Sequence, residues 1–241
     1  MVNAAAYTNV DKAESEPETA FAVNSDGPDN LARVCADANI PLIHISTDYV
    51  FNGSKGSPYI ESDQVSPIGV YGKSKEQGET RVRLHLKEHI IIRTSWMYGI
   101  HGKNFVKTML RLEKEKEIIK VVADQYGCPT SADDMANVIL TIAGQIRRSS
   151  EIKWGTYHYC GKGTTTWYNL AEAVFSFAGR YDEKVLQKIE PIKTIDYPTP
   201  AKRPVFSALD CSLIENNFGI KARPWQKSLK LTIDGIRGKT G

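Results

Sequence analysis

The feature that most constrains the fold is an alternation of short apolar segments with helical patterns along the first part of the chain. Leu42–Ser46, Ile90–Thr94 and Ile118–Val122 are rich in β-branched and aliphatic residues. Between them lie segments such as Val70–Leu86, which are long enough for a helix. Strands that alternate with helices predict an α/β fold, in which helices connect parallel strands. Three consecutive isoleucines in Ile90–Thr94 predict a strand that is covered on both faces.

Turn and capping signals set the expected bounds of these elements. Pro17 can occupy the first turn of a helix, and Thr166 can cap one. We predict strands at Val2–Ala6, Leu42–Ser46, Ile90–Thr94, Ile118–Val122, Thr156–Cys160 and Lys188–Ile192. We predict helices at Pro17–Asn39, Val70–Leu86, Lys103–Leu112, Ala132–Ile146, Thr166–Ala178 and Pro224–Ile236. After about residue 150 the alternation loosens, and a proline-rich passage follows at Asp196–Val205.

Composition excludes several classes of protein. Hydrophobic residues make up 41% and charged residues 24% of the 241 residues, which is ordinary for a globular chain. A net charge of +3, with basic and acidic residues interleaved, does not predict a partner of nucleic acid. No apolar run approaches the ~20 residues of a membrane span, and no signal peptide is recognisable. Four widely spaced cysteines without a CxxC pair predict reduced thiols and a cytoplasmic protein.

Three side chains near the middle of the chain predict the reduction of a ketone. A predicted strand ends at Thr47, and Tyr71 and Lys75 follow on the next predicted helix. A phenol has a pKa of about 10, and an ammonium four residues away on the same helical face favours the phenolate and lowers that pKa. A threonine hydroxyl at the strand end can hold the carbonyl oxygen. The Tyr-x-x-x-Lys spacing alone equally fits an amphipathic helix with a solvated lysine. The hydroxyl of Thr47 at the preceding strand end favours a catalytic role for the three side chains.

The sequence contains no Gly-rich dinucleotide loop. Neither G-x-G-x-x-G nor a related spacing occurs, although such a turn supplies N–H groups to the pyrophosphate of a bound dinucleotide. We therefore expect a Rossmann-like, doubly wound parallel sheet that is N-terminally truncated, with a smaller C-terminal α/β region. We also expect these 241 residues by themselves to bind NADPH weakly.

Seven stretches of the chain resemble successive signatures of one family. They are NAAAYTNVDKAESEPE, HISTDYVFNG, PIGVYGKSKEQGE, IIRTSWMYG, KNFVKTML, VVADQYGCPTSADDMA and RPVFSALDCSLIE. These words resemble the dTDP-4-dehydrorhamnose reductases, a branch of the extended short-chain dehydrogenases. The resemblance covers essentially the whole chain, in order and at the spacing of the family.

The resemblance implies NADPH-dependent reduction of the 4-keto group of dTDP-4-dehydro-L-rhamnose to dTDP-L-rhamnose. It matches Tyr71 to the proton donor and Thr47 to the hydroxyl that holds the carbonyl. Lys75 would lower the pKa of the phenol and hold the nicotinamide ribose.

The resemblance also matches binding positions. Those for the cofactor are Asn3, Ala4, Ala5 and Tyr7, and those for the substrate are Asp48, Tyr49, Trp96 and Arg203. Asn24 matches a residue that structures a water path, and a loop near the nucleotide is matched by Gln125, Pro129 and Thr130.

The family resemblance divides the chain by function and leaves some partners open. Residues 1–150 would be the remaining dinucleotide-binding domain with the catalytic residues, and residues 151–241 mainly the substrate-binding region. NADH in place of NADPH, a homodimer and a magnesium ion stay open, and no residues are assigned to a metal. His85 and His89, at helical spacing, are read as a solvated pair rather than ligands.

Two other readings compete with an active reductase. One is a non-catalytic binding subunit, because the regulatory subunit of methionine adenosyltransferase resembles the same family. The other is an inactive fragment of a reductase that cannot hold its cofactor. A pull-down for a synthetase partner would separate the first from an enzyme.

Overall fold

The computed structural model describes residues 1–149, 151–179 and 186–238. These residues divide into two compact units that are each assembled from separated segments. Unit 1 consists of Met1–Thr94, Ile139–Tyr159 and Thr199–Lys221, and unit 2 of Ser95–Val138, Cys160–Pro198 and Ala222–Gly241. The boundary that we predict at residue 150 lies outside the described residues, and the division by function stays a prediction.

The elements follow each other in the alternating order that the sequence predicts. The strands are β1 (Val2–Asn3), β2 (Leu42–Thr47), β3 (His89–Thr94), β4 (Met97–Tyr98), β5 (Ile118–Val122), β6 (Tyr126–Gly127), β7 (Thr130–Ser131), β8 (Gly155–His158), β9 (Thr165–Thr166) and β10 (Lys188–Ile192). The helices are α1 (Val10–Ser15), α2 (Pro17–Phe21), α3 (Gly27–Asp37), α4 (Val70–His85), α5 (Phe105–Glu115), α6 (Ala132–Arg148), α7 (Trp167–Ala178), α8 (Ser212–Phe218) and α9 (Trp225–Arg237).

Unit 1 contains a parallel sheet in the order β1-β2-β3-β8. Its register places Asn3 opposite His44, and Thr47 opposite Thr94. Every residue of β3 is buried, which confirms the prediction that this strand is covered on both faces. On one face, apolar residues of β2 and β3 pack with α3 and α4 in a core of Ala32, Cys35, Leu42, Val82, Leu86 and Ile91. The predicted α/β class with a parallel sheet is confirmed.

The segment predicted as one helix from Pro17 to Asn39 is interrupted by a π-helical turn over Ala22–Asp26. In that turn the N–H of Gly27 donates to the carbonyl of Ala22, five residues back. Pro28 follows at the start of α3 and has no N–H to give to the carbonyl four residues earlier, so the regular ladder cannot continue. The segment is therefore α2, a π turn and α3.

Unit 2 is built from three strand pairs and from helices α5, α7 and α9. β5 pairs with β10 and β4 with β7 in parallel, whereas β6 and β9 are antiparallel. The bounds of β5 and β10 are those predicted. Thr166 caps α7 by accepting a hydrogen bond from the N–H of Asn169 at 3.1 Å, as predicted. Residues of α5, α7 and α9 share one buried apolar cluster.

Several elements differ from the sequence prediction. The first strand ends at Asn3 rather than Ala6, and helix α1 is additional. Asn9 caps α1 by accepting from the N–H of Lys12 at 3.1 Å. The two-residue strands β4, β6, β7 and β9 and the short helix α8 were also not predicted, because elements this short carry no apolar periodicity.

Candidate active site

The turn after β2 fixes the position of the Thr47 hydroxyl. Thr47 ends the strand and caps a 3₁₀ turn over Asp48–Val50, in which its Oγ1 accepts a hydrogen bond from the N–H of Tyr49 at 3.2 Å. The same hydroxyl donates to Oδ1 of Asp48 at 3.1 Å. Thr47 and Asp48 are both buried. The strand end that the sequence singles out is thus a compact polar corner.

Helix α4 lies close against this corner because Gly72 has no side chain. A Cβ built on Gly72 would lie 2.2 Å from the carbonyl oxygen of Tyr49. This approach brings the phenol of Tyr71 near the hydroxyl of Thr47, which acts to lower the pKa of the phenol. The ring of Tyr71 also packs edge-to-face on Tyr49, with 5.7 Å between the ring centroids. The structure therefore brings together Thr47, Tyr49 and Tyr71, as the sequence predicts.

Lys75 is a buried lysine rather than a solvated one. Its side chain is 2% exposed, and its ammonium donates to the carbonyl oxygen of Ile45 in β2 at 2.7 Å. Burial lowers the pKa of Lys75 to about 8, and the negative charge of Glu79 opposes that shift. Among the described residues, the acceptor of Lys75 is a backbone carbonyl beneath the strand end.

The pKa of Tyr71 moves in the direction opposite to the one expected. Burial raises it to about 12; the nearby Thr47 hydroxyl acts downward, and the charge of Asp48 acts upward. We expected Lys75 to lower this pKa, and that expectation is wrong for this structure. Removal of the phenol from water is the largest influence, and the ammonium of Lys75 donates to the carbonyl of Ile45 instead.

The carboxyl of Asp48 is buried in the turn after β2. Only 2% of the residue is exposed, and its Oδ2 has no hydrogen-bond partner among the described residues. Burial raises the pKa of Asp48 to about 7, although hydrogen bonds from Ser207 and Thr47 favour the charged form. The carboxyl therefore changes charge near neutral pH.

Four of the predicted cofactor-binding residues lie at the end of β1 and in the loop after it. Asn3 is buried, and its side chain contacts Nδ1 of His44 at 3.1 Å and accepts from the N–H of Ala5 at 3.1 Å. Ala4 and Ala5 are exposed, and the phenol of Tyr7 donates to Glu16 at 2.7 Å. The loop thus presents small side chains at the edge of the sheet, beside the strand end that carries Thr47.

Asn24 connects this loop to α4. Its side chain accepts from the N–H of Tyr7 at 2.8 Å and donates to the carbonyl of Tyr7 and to Oγ of Ser74, each at 3.0 Å. Ser74 in turn donates to the carbonyl of Tyr71 at 2.8 Å. The amide is therefore occupied by protein groups, and the predicted water path through Asn24 stays a prediction.

Arg203 is half-buried and paired within the protein. Its guanidinium donates to Asp11 at 2.8 Å, to the carbonyl of Ala201 at 3.2 Å, and to the hydroxyl of Thr199. The bond to Arg203 is also the main reason that the pKa of Asp11 is lowered. Arg203 is thus ion-paired within its own unit, and its role in substrate binding stays a prediction.

Trp96 and the predicted nucleotide loop lie in unit 2. Trp96 adopts a positive φ of 46° and stacks on Trp167 with 3.6 Å between the ring centroids. Its carbonyl accepts from the N–H of Thr130 at 3.2 Å. Gln125 is buried and donates to Thr194 at 3.1 Å, and Pro129 is also buried. Thus Trp96 is held in an aromatic stack by its own unit.

Sequence reasoning missed a buried ionic network between α4 and the strands that lie beneath Thr47 and Asp48. Glu79 of α4 is fully buried, accepts from Ser46 at 2.6 Å, and receives two bonds from the guanidinium of Arg93 at 2.9 and 2.7 Å. Although burial acts to raise the pKa of Glu79, these bonds bring it down to about 2. An arginine inside the apolar strand Ile90–Thr94 was the available signal, because a buried charge requires a partner.

The described residues do not provide a metal site. Within them, no group of three or more His, Cys, Asp or Glu side chains is placed to hold an ion. His85 ends α4, whereas His89 begins β3 and is buried, so the expected solvated pair on one helix is wrong. Among the described residues, no helix is both long and apolar enough to cross a bilayer.

The parallel sheet and the side chains at its strand ends define a Rossmann-like oxidoreductase of the short-chain dehydrogenase type. Residues 1–237 match the family described as the RmlD substrate binding domain. A dTDP-4-dehydrorhamnose reductase of Sinorhizobium fredii is 48% identical over 233 residues, which are 95% of this chain and 78% of the relative. This chain belongs to the dTDP-4-dehydrorhamnose reductase family.

Solved structures agree with this family. A dTDP-4-dehydrorhamnose reductase of Clostridium acetobutylicum superposes with a TM-score of 0.90 at 40% identity, over 98% of this chain and 80% of the other. One of Bacillus anthracis, solved in complex with NADP, gives 0.88 at 36% identity, over 97% and 79%. The chain thus spans about four fifths of the length of these relatives.

Proposed function

We propose that the chain reduces the 4-keto group of dTDP-4-dehydro-L-rhamnose with NADPH, giving dTDP-L-rhamnose. The observation that carries the proposal is the approach of the Tyr71 phenol to the Thr47 hydroxyl at the end of β2, with buried Lys75 one turn further along α4. A hydroxyl pair at a strand end is suited to a ketone oxygen. Relatives at 36–48% identity bear the name of this activity, and the one of Bacillus anthracis was solved with NADP.

The residues near the strand end fit a nicotinamide ribose. Lys75 has three N–H donors, and the described residues supply one acceptor, the carbonyl of Ile45. The remaining donors suit ribose hydroxyls. Exposed Ala4 and Ala5 would let a ring approach the backbone closely, with Asn3 and Tyr7 fixing the loop. When bound, the cofactor supplies the hydride that adds to C4 of the sugar.

Tyr71 provides the proton that balances the hydride. With a pKa of about 12, its phenol is protonated at neutral pH and can donate to the ketone oxygen as negative charge develops there. The Thr47 hydroxyl holds the same oxygen. The resulting phenolate recovers its proton from solvent, so one hydride and one proton convert the ketone into an alcohol.

The remaining assignments of the site are also proposals. Asp48 and Tyr49 flank Tyr71 and would face the sugar. The substrate-binding role of Trp96 stays a prediction. Arg203 would bind the pyrophosphate by exchanging its partner Asp11 for the ligand. We also propose a cytoplasmic location, because all four cysteines lie in the described residues and none is in a disulfide. A homodimer stays a prediction.

Replacement of Tyr71 by phenylalanine tests the proposal. Tyr71→Phe removes the proton donor and keeps the ring, so we expect kcat to fall by ~10²–10⁴-fold with dTDP-4-dehydrorhamnose and NADPH. The measurement is the loss of NADPH absorbance. Tyr168→Phe, which removes a surface phenol of α7 that bonds Glu172, should leave the rate unchanged. Near-normal turnover by Tyr71→Phe, or no turnover by the unmodified protein at saturating NADPH, would contradict the proposal.

A further inference from the structure

The hydroxyl of Thr47 has more polar neighbours than it has protons to donate. It has one proton to give and two lone pairs that accept. Its neighbours are Oδ1 of Asp48 at 3.1 Å, the N–H of Tyr49 at 3.2 Å and the phenol of Tyr71. The backbone N–H of Tyr49 is a donor and cannot receive the hydroxyl proton of Thr47. Asp48 and Tyr71 therefore determine where that proton points.

When Asp48 is charged, the hydroxyl proton is directed at the carboxylate. A bond to an ionised acceptor is roughly twice as strong as a neutral one, so Asp48 outcompetes the phenol. Thr47 then accepts from the Tyr49 N–H, and its other lone pair can accept from the nearby Tyr71 O–H. In this state Thr47 has no proton for a ketone oxygen, and the proton of Tyr71 can point at Thr47 instead of the ketone.

When Asp48 is neutral, the direction of these bonds can reverse. A protonated carboxyl donates to Oγ1 of Thr47, which releases the hydroxyl proton toward Tyr71 or toward a bound oxygen. The Tyr71 proton is then also available to that oxygen. The neutral form of Asp48 is therefore the one in which both hydroxyl groups can donate.

The surroundings of Asp48 allow both forms. The carboxyl is buried, its Oδ2 has no partner among the described residues, and Ser207 bonds it from the segment after the proline-rich passage. The ionisable groups that face it are Tyr49 and Tyr71, and the Arg203–Asp11 ion pair lies beyond Tyr49. Burial raises the pKa of Asp48 to about 7, so neither form is rare near neutrality.

We propose that Asp48 is a positioning residue whose charge sets the direction in which the Thr47 hydroxyl donates, and that only its neutral form readies both the Thr47 and the Tyr71 hydroxyl to donate to the ketone. This inference rests on the proposed function, because it assigns a state of the site in which that reduction proceeds. It differs from contact between Asp48 and the sugar, which would require no change of charge.

The first test compares pH profiles of kcat. Between about pH 6 and about pH 7.5, below the pKa of Lys75 at about 8, the neutral fraction of Asp48 falls about fourfold, and kcat should fall with it. In Asp48→Asn the amide is neutral and can donate to Thr47, so its kcat should stay flat over that range. Asp63→Asn is the matched control, since Asp63 pairs with Lys55 on an exposed loop and should keep the wild-type profile. An alkaline fall in Asp48→Asn equal to that of the wild type would overturn the proposal.

The second test needs no turnover. In protein labelled with ¹³C at aspartate carboxyls, Asp48 should titrate near neutrality by NMR. Thr47→Val removes the hydroxyl that donates to Asp48, so this titration should move to higher pH. An unmoved titration would overturn the coupling even if Tyr71→Phe is inactive and the proposed function stands. If the unmodified protein fails to oxidise NADPH with the sugar, the proposed function fails, and with it the catalytic meaning of the Asp48 titration.

Discussion

At the scale of single residues, Lys75 shows a conflict between binding chemistry and stability. An ammonium with 2% exposure has lost most of its contact with water, and the Ile45 carbonyl replaces only part of it. Burial therefore lowers the pKa of Lys75 to about 8. A residue that costs stability in this way is typical of functional positions, where a charge is held ready for a ligand.

We expect Lys75→Met to stabilise the protein while it weakens NADPH binding. The lowered pKa means that burial of the charged Lys75 costs about 3 kcal/mol of folding free energy at neutral pH. The substitution removes this cost, but it also removes a hydrogen bond that stabilises the fold by about 1 kcal/mol. Net stabilisation of about 1–2 kcal/mol should appear in urea denaturation, and titration should show weaker cofactor binding.

The pH dependence of stability provides the control for Lys75. Because the folded pKa is below the unfolded one, the wild type should gain stability as pH rises from about 8 to about 10.5, where the unfolded chain holds the extra proton. Lys75→Met should lack this gain. A destabilised variant with unchanged NADPH affinity would return Lys75 to a purely structural role.

At the scale of elements, α4 is placed by two glycines. Gly72 allows contact with the turn after β2, and Gly78 allows contact with the π turn before α3. A Cβ on Gly78 would lie 2.1 Å from the carbonyl oxygen of Asn24. Backbone contacts of this kind cannot be relieved by a change of rotamer, so the position of Tyr71 depends on both glycines.

We expect opposite effects from two glycine-to-alanine substitutions in helices. Gly78→Ala should destabilise the protein by about 1–3 kcal/mol, because overpacking outweighs the better helix propensity of alanine. Gly144→Ala in α6 should stabilise by up to about 1 kcal/mol, since nothing lies within 4 Å of the new Cβ. Urea denaturation of both variants measures the difference. Equal effects would mean that the close approach of α4 to Asn24 is not tight.

At the scale of the whole molecule, stability toward acid is set by buried groups of unit 1. His44 and His158 are fully buried, and burial lowers the pKa of each to about 3. Both remain neutral in the folded state and become protonated in the unfolded chain below about pH 6.5. Asp48 acts in the opposite sense, because its folded pKa of about 7 is above the unfolded value.

We expect stability to fall as pH decreases below about 6.5. Two histidines favour the unfolded state and Asp48 offsets one of them, so these three groups contribute a net slope of about 1.4 kcal/mol per pH unit, to which the lowered pKa of His89 adds. Asp48→Asn removes the offset and should steepen the slope by about 1.4 kcal/mol per pH unit, as measured by urea denaturation between about pH 6 and pH 4.5. Asp63→Asn should not change it, because the pKa of Asp63 is lowered and lies outside this window. A shallower slope in Asp48→Asn would mean that its pKa is not raised.

Local pattern accounts for what could be predicted. The strands Ile118–Val122 and Lys188–Ile192 and the Thr166 cap are encoded by neighbours in the chain, and they occur where expected. The grouping of Thr47 with Tyr71 followed from a strand end and the next helix. The resemblance to the family assigned Asn3, Asp48 and Tyr49 to positions near Thr47 and Tyr71, and their roles stay predictions.

The sequence by itself determined the fold class, the family and the identity of the side chains at the strand ends, because those depend on periodicity and short motifs. Only the tertiary structure decided the electrostatics. The pKa of Tyr71 is raised rather than lowered, Lys75 is buried, and Glu79 pairs with Arg93 beneath them. These properties depend on how much water each group loses and on which partners distant segments bring to it, and neither can be read from spacing along the chain.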